Sequence, residues 1–341
     1  MKFLRYFGKR LIYIIPQFLG VLIVIFVTVR LVPGDPARLM AGTNVSVEGV
    51  ELIREKMGLT GPIYIQFWKY LKNVFQGDFG KSWWTGNQVI DDISAKLPAT
   101  LELIIISLII SLVILVPFAL KSISEGDSFF KRFSGKVLTI YGLTAGCFPD
   151  FWLGLILILV FFAKLGWLPP PVGQLPIGVT CTNITGMVFI DSLLTANWAA
   201  FIAHLKLLIM PVFVLVFVYG SGVMKVTLVT ASSIKKSSFI RFAKVCGLPS
   251  KTISQYIKRA TYPSTVTMTA LLFGFLIGGA VLVENVFSWG GIGQYAVKSV
   301  TNSDYAAIQG VVLIAAIINI IIYILVDLVY FLVDPRIERL G

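Results

Sequence analysis

Six apolar runs, each about as long as a bilayer is thick, decide what this chain can fold into. They occupy residues 11–29, 103–120, 137–163, 207–224, 262–283 and 305–326. A hydrocarbon core of about 30 Å requires roughly 20 apolar residues wound as a helix, because no water is present there to satisfy the backbone. A β-barrel would instead show many short alternating segments, and none appear. With 57% hydrophobic and 13% charged residues, and a mean hydropathy of +0.86, the chain is not an ordinary soluble domain. The expectation is an all-α integral membrane protein with six transmembrane helices.

Charge orients those helices. The net charge is +12, and its distribution is more telling than its size. Lys2, Arg5, Lys9 and Arg10 precede the first run; Lys121, Lys131, Arg132 and Lys136 lie between the second and third. A third cluster fills residues 225–263, and Arg336 and Arg339 follow the sixth run. Six spans put all four clusters on one side, as cytoplasmic loops rich in Lys and Arg require, with both termini cytoplasmic. Acidic and basic residues balance in the loop 32–98, which suits the external face. This distribution accounts for the basic pI without a nucleic-acid partner. Residues 177–203 carry one charge, Asp191, and compete as a seventh span, but counting it would place two basic clusters outside. Thr180, Thr182, Asn183, Thr185 and Asn197 also suit an external, partly buried excursion better than a lipid-facing helix. The first run is too long for a signal peptide and lacks a small-residue cleavage site, so it is expected to remain as the first span. Cys147, Cys181 and Cys246 fall at an inner edge, outside and inside, which suits three free thiols and offers no metal-ligand spacing.

The segment 225–263 is basic and free of carboxylates, carrying Lys225, Lys235, Lys236, Arg241, Lys244, Lys251, Lys258 and Arg259. Attraction to anionic lipid accounts for the charge, at about 1 kcal/mol per basic residue near the surface. It does not account for the grammar. Ser237 or Ser238 can cap a short helix, Lys244 complements its C-terminal dipole, Gly247 suits a left-handed C′ position, and Pro249 stops the helix. Ser250 restarts a helix with Ile253, Tyr256, Ile257 and Ala260 on one face, and Pro263 starts or kinks the fifth span. The result is a short surface helix held by a helical strut, a shape suited to docking.

The external loop is also structured. Pro33-Gly34-Asp35-Pro36 makes a rigid turn, 48–57 is helical, and 62–75 forms an amphipathic helix near the headgroups. Trp83 and Trp84 suit the interfacial belt, and Leu97-Pro98-Ala99 opens the second span. Polar groups and glycines within the apolar runs are the candidates for a translocation path: Glu102, Asp150, Gly278, Gly279, Glu284 and Asn319. Each has a plainer structural reading. Glu102 and Glu284 can cap or pair, Asn319 and Asp327 can bond helix to helix, and Gly278 and Gly279 with Gly274 can serve close packing. Asp150, beside Pro149, marks a kink, and His204 reads as a hydrogen-bonded group. No phosphate loop, metal cluster, carboxylate pair or nucleophile constellation is present, so no enzyme is expected.

Several further motifs run in a fixed order. Leu31-Val32-Pro33-Gly34-Asp35-Pro36, Met57-Gly58-Leu59 and Gly77-Asp78-Phe79-Gly80-Lys81-Ser82 are followed by Leu97-Pro98-Ala99-Thr100-Leu101-Glu102-Leu103. Then come Phe151-Trp152-Leu153-Gly154, Gly278-Gly279-Ala280-Val281-Leu282-Val283-Glu284 and Asp334-Pro335-Arg336-Ile337. Over nearly its whole length the chain resembles the B-type permease subunit of the dipeptide, oligopeptide and nickel ABC importers. Three departures are visible: Ser237-Ser238-Phe239 replaces an acidic or polar start to the family's cytoplasmic motif, the Arg-rich stretch after the fourth span is thinned to Lys225 and Lys235-Lys236, and Cys147-Phe148-Pro149 stands for the family's Ser-Ile-Pro.

The resemblance implies the type I importer permease architecture, in a single membrane domain 1–341. Its parts are a first span at about 11–31, an external loop 32–98, and a core 99–332 containing the coupling segment 225–263. It also implies that Phe239, Ile240, Arg241, Phe242, Ala243, Lys244, Val245, Cys246, Gly247 and Leu248 contact an ATPase. The implied partners are a second homologous permease, two cytoplasmic ATP-binding subunits, an extracytoplasmic binding protein and membrane lipid. ATP and Mg would be bound by the ATPase partners, and this chain would hold no cofactor. The place is a bacterial inner membrane. Relatives move peptides, glutathione, nickel and other metal chelates. The rival class is an ion-coupled secondary transporter, which calls for inverted repeats and broken mid-membrane helices that are not evident here.

Overall fold

The computed structural model describes residues 2–31, 36–41, 45–56, 60–123 and 129–333. The turn residues 33–35, the motif at 57–59 and the Arg336–Arg339 cluster lie outside the described residues. Fourteen α-helices are present among the described residues: α1 Lys2–Leu31, α2 Pro36–Ala41, α3 Val47–Lys56, α4 Ile63–Phe75, α5 Val89–Ile110, α6 Val116–Ile123 and α7 Phe129–Thr144. They continue as α8 Asp150–Leu157, α9 Val188–Leu194, α10 Trp198–Lys235, α11 Ser238–Val245, α12 Ser250–Val286, α13 Ile292–Thr301 and α14 Tyr305–Val333. A wide π-helical turn, Ser111–Leu115, joins α5 to α6, and another, Ile158–Lys164, extends α8. The described residues contain no strand beyond an isolated bridge between Lys81 and Gln88.

Among the described residues, four helices are long and apolar enough to cross a bilayer: Val89–Ile123, Trp198–Lys235, Ser250–Val286 and Tyr305–Val326. Ile14–Thr28 is a shorter apolar stretch of α1. The expected third span is not one straight helix. Gly135–Cys147 and Asp150–Lys164 meet at 104°. The cause is local: Pro149 disfavours helical geometry in the residue before it, and Phe148 is extended with φ −79° and ψ 128°. The second span also differs from expectation. Its helix begins at Val89, with Asp91 and Asp92 at the positive end of the macrodipole, so Pro98 lies inside it. Pro263 likewise sits within an unbroken α12.

The chain forms two compact units. One comprises residues 1–98 and 294–320. Its core joins Leu22 and Ile25 of α1 to Leu71 and Val74 of α4 and Leu313 of α14. Phe26 packs edge-on against Phe67 at 5.1 Å, and Phe18 against Phe75 at 6.4 Å. Two buried aspartates pin the loop after α4. Asp304 accepts from the Ser82 hydroxyl at 2.5 Å, and Asp92 accepts from Thr85, Asn87 and Tyr295.

The other unit comprises residues 99–293 and 321–341. Its centre is the α10–α12 pair, which buries Met210, Leu215 and Met224 on one side and Leu272, Leu276 and Ala280 on the other. Tyr141 ties α7 to this pair by donating to the carbonyls of Phe217 and Val216 at 2.9 and 3.1 Å. Residues 177–197 form no spanning helix, only α9 and a loop wrapped on Asp191. Asp191 accepts from the N–H groups of Ile184, Thr185 and Gly186 and from the Thr185 hydroxyl. Burial opposes its ionisation, yet these donors outweigh burial and hold the carboxyl below the usual carboxylate range. Asn197 then caps α10 by accepting from the Ala200 N–H at 3.1 Å.

Candidate functional site

The basic segment folds as its cap residues direct. α10 runs on to Lys235, and α11 starts where the Ser237 hydroxyl accepts from the Ile240 N–H at 3.4 Å. At the other end, Gly247 takes φ +71°. Its N–H donates to the Lys244 carbonyl at 3.0 Å, and the Leu248 N–H donates to the Ala243 carbonyl at 3.2 Å. That crossed pair is a Schellman motif, which satisfies the last carbonyls and turns the chain sharply into α12.

The motif fixes which way α11 faces. Ile240 and Ala243 are buried, together with Ile253 and Ile257 of α12. Phe239, whose ring leans on Tyr256 at 5.6 Å, remains half exposed, and Phe242 and Val245 are 70% and 86% exposed. Arg241 and Lys244 are exposed beside them. Large apolar side chains on a short, rigid surface helix suit insertion into a complementary groove. One face assignment differs: Ala260 is exposed, and Thr261 is the buried residue there, donating to the Ile257 carbonyl.

The polar candidates in the spans fall into three arrangements within residues 99–293. Glu102 is buried and hydrogen-bonded to His204 Nε2, and it accepts from the Phe189 N–H at 3.1 Å. His204 Nδ1 lies 2.8 Å from the Gln174 carbonyl oxygen, so a carboxylate and an imidazole together hold the loop 165–191. Glu284, fully buried, accepts from the Thr100 hydroxyl at 2.5 Å, and Thr100 accepts from the Ile292 N–H at 2.8 Å. Asp150 accepts from the Tyr219 hydroxyl and the Phe151 N–H, both at 2.7 Å, directly after the 104° break.

The two glycines behave differently. A Cβ on Gly279 would meet the Tyr219 ring and hydroxyl at 2.3 Å, whereas a Cβ on Gly278 would meet nothing within 4 Å. Gly279 therefore makes room for the tyrosine that reaches Asp150. In the other unit, Asn319 donates to its own helix at the Ala315 carbonyl. The Asp327 side chain lies outside the described residues. Among the described residues, no three His, Cys, Asp or Glu side chains converge on a metal-sized site.

Sequence reasoning named the acids but not their partners. His204 was legible as a hydrogen-bonded group, but Thr100, Gln174 and Tyr219 were not singled out. Tyr219 alone left a trace, as a hydroxyl within the apolar run 207–224.

Long apolar helices with a capped amphipathic helix set beside them are the architecture of an α-helical membrane protein with a surface suited to docking. Residues 122–339 match the family described as the binding-protein-dependent transport system inner membrane component, and residues 3–104 match its N-terminal region. The chain belongs to this family. It is 34% identical over 334 residues to the probable D,D-dipeptide transport system permease protein of Escherichia coli K12, covering 94% of each chain. It is 32% identical over 337 residues to the dipeptide transport system permease protein of Alkalihalophilus pseudofirmus, covering 98% of this chain and 99% of the relative. The glutathione transport system permease protein of Escherichia coli K12 matches with the same identity and coverage. The chain is therefore a permease component, not a catalyst, and a multi-pass protein of the bacterial inner membrane.

Proposed function

We propose that this chain is the transmembrane subunit of an ATP-driven ABC importer for peptides or closely related solutes, and that α11 is its coupling helix. The observation that carries the reading is the Schellman-fixed helix with Phe239, Phe242 and Val245 turned outward. The ATPase contact is the ten-residue stretch from Phe239 to Leu248, in which Ile240 and Ala243 anchor the helix and Gly247 sets its angle. The reading takes α1 and the bent α7–α8 pair as spans beside the four long helices, six in all, with both termini and α11 on the cytoplasmic side as the basic clusters favour.

A second homologous permease completes the path, two ATPases bind ATP and Mg, and an extracytoplasmic binding protein delivers substrate. Of the path candidates, Gly278 has open space before it. Asp150 sits directly after the helix break, bonded to Tyr219, while Glu102 and Glu284 are buried in hydrogen bonds of their own. The names of the relatives support dipeptides first and glutathione, itself a peptide, second.

The test is co-purification of the tagged chain, wild type beside Gly247→Pro. Two ATPases and a sister permease accompanying the wild type, with only the ATPases lost from the variant, is the expected result. A wild-type chain that purifies without ATPases and still transports in liposomes overturns the reading in favour of ion coupling.

A further inference from the structure

The amphipathic helix α4 uses only part of its apolar surface against its own unit. Leu71 and Val74 are buried against α1 and α14, and Phe67 contributes a ring contact to Phe26. Beside this buried flank stand Tyr64, Trp68 and Phe75, which are 66%, 66% and 70% exposed. At about 100° per residue these three positions fall within about 40° of one another, so they form a single ridge along the helix. Beyond the ridge, on the side away from Leu71, the same rotation brings Lys72 and then Lys69, both exposed.

The order around the helix is therefore packed aliphatic, uncovered aromatic, then cation. Three observations specify what covers the ridge. First, α4 packs along the apolar Ile14–Thr28 stretch of α1, on which Ile23, Val24 and Val27 are exposed. Second, Tyr64 and Trp68 carry an apolar body with a polar tip, the side chains that favour the boundary between acyl chains and headgroups. Third, Lys69 and Lys72 place ammonium groups next to the ridge, where long stems let them reach lipid phosphates.

We infer that the Tyr64–Trp68–Phe75 ridge of α4 is a lipid-binding surface, seated in the acyl–headgroup boundary with Lys69 and Lys72 on anionic headgroups. Its partner is membrane lipid and not a protein. The surface ties the segment 76–88 to the bilayer beside α1.

Site-directed spin labelling of the full chain tests this, with Cys147, Cys181 and Cys246 replaced by Ser. The protein, with whatever subunits co-purify, is reconstituted into phosphatidylethanolamine–phosphatidylglycerol vesicles, and a nitroxide is placed at Tyr64→Cys, Trp68→Cys, Phe75→Cys, Lys69→Cys or Lys72→Cys. Collision rates are measured with oxygen, which concentrates in lipid, and with a water-soluble nickel chelate. The ridge labels are expected to favour oxygen several-fold over the lysine labels. Nickel-dominated collisions at the ridge would show it in water and overturn the inference. Ridge labels shielded from both reagents would assign the surface to a protein partner and overturn it equally. Tyr64, Trp68, Lys69 and Lys72 carry the test without disturbing packing, the Phe75 label is checked by thermal stability because its ring meets Phe18, and binding of ATPases is scored separately.

Discussion

Gly247 offers a graded test of how the surface helix is held. Its φ of +71° lies in the left-handed region, and a Cβ there would meet nothing within 4 Å. Gly247→Ala therefore introduces no clash, and its cost is the backbone penalty alone, about 1–2 kcal/mol for an L-residue in that region. Spread over the local equilibrium of the motif, this is roughly a 5–30-fold loss of the correctly capped form. Asn tolerates the left-handed region, so Gly247→Asn should lose less than Ala. Proline locks φ near −65° and has no N–H to give the Lys244 carbonyl, so Gly247→Pro should abolish the motif. The assay is a titration of ATPase subunits onto the purified permease, with thermal stability measured in parallel. Affinity should fall in the order Gly, Asn, Ala, Pro, while global melting moves little. Equal binding by Ala and Gly, or better binding by Ala than by Asn, would refute the argument, since both would mean that the left-handed backbone is not what positions α11.

Further outcomes follow from the buried contacts. Gly279→Ala drives a methyl group into Tyr219, and overpacking should cost about 1–3 kcal/mol. Its thermal destabilisation should shrink when Tyr219→Ala is added. Glu102→Ala strips a partner from both His204 and the Phe189 N–H, at about 1–3 kcal/mol for each buried group left unpaired. Hydrogen exchange at Phe189 should report the loosened loop. Asp191 is held below its unfolded pKa of about 3.9, so its contribution is complete above that value and vanishes as pH falls through the lower folded value. Asp191→Asn should thus weaken amide protection at 184–186 at neutral pH, with the gap to wild type closing below about pH 4. The co-purification and spin-label outcomes given above complete the set.

Local chemistry wrote most of what could be read in advance. Ser237, Gly247 and Pro249 act within a few residues of themselves, so the short helix and its turn were legible, as were the four long apolar spans. Pro149 advertised a break but not its size, because a restriction on the residue before proline does not by itself set the angle between two helices. The early start of α5 was hidden by reading Pro98 as a beginning, when Asp91 and Asp92 supply the helix's first turn. The pairing of Glu102 with His204 joins positions 102 residues apart, a separation that no periodicity encodes. Face assignments failed by one position at Ala260, where the helix turns its hydroxyl neighbour Thr261 inward instead.

The lengths of α10 and α12 have a mechanical meaning. At 38 and 37 residues they are rods of about 55–57 Å, roughly twice the hydrocarbon thickness, and α11 is strung between the end of one and the start of the other. Packed against each other, they form a stiff beam with a handle at one end. Rocking such a beam by about 10° around its midpoint displaces each tip by about 5 Å, close to the pitch of a helix. The loop held through His204 rides on the opposite tip. Leverage of this kind needs no chain of side-chain rearrangements across the bilayer: with α11 as the coupling helix of the proposal, a push on it would arrive at the far side as rotation.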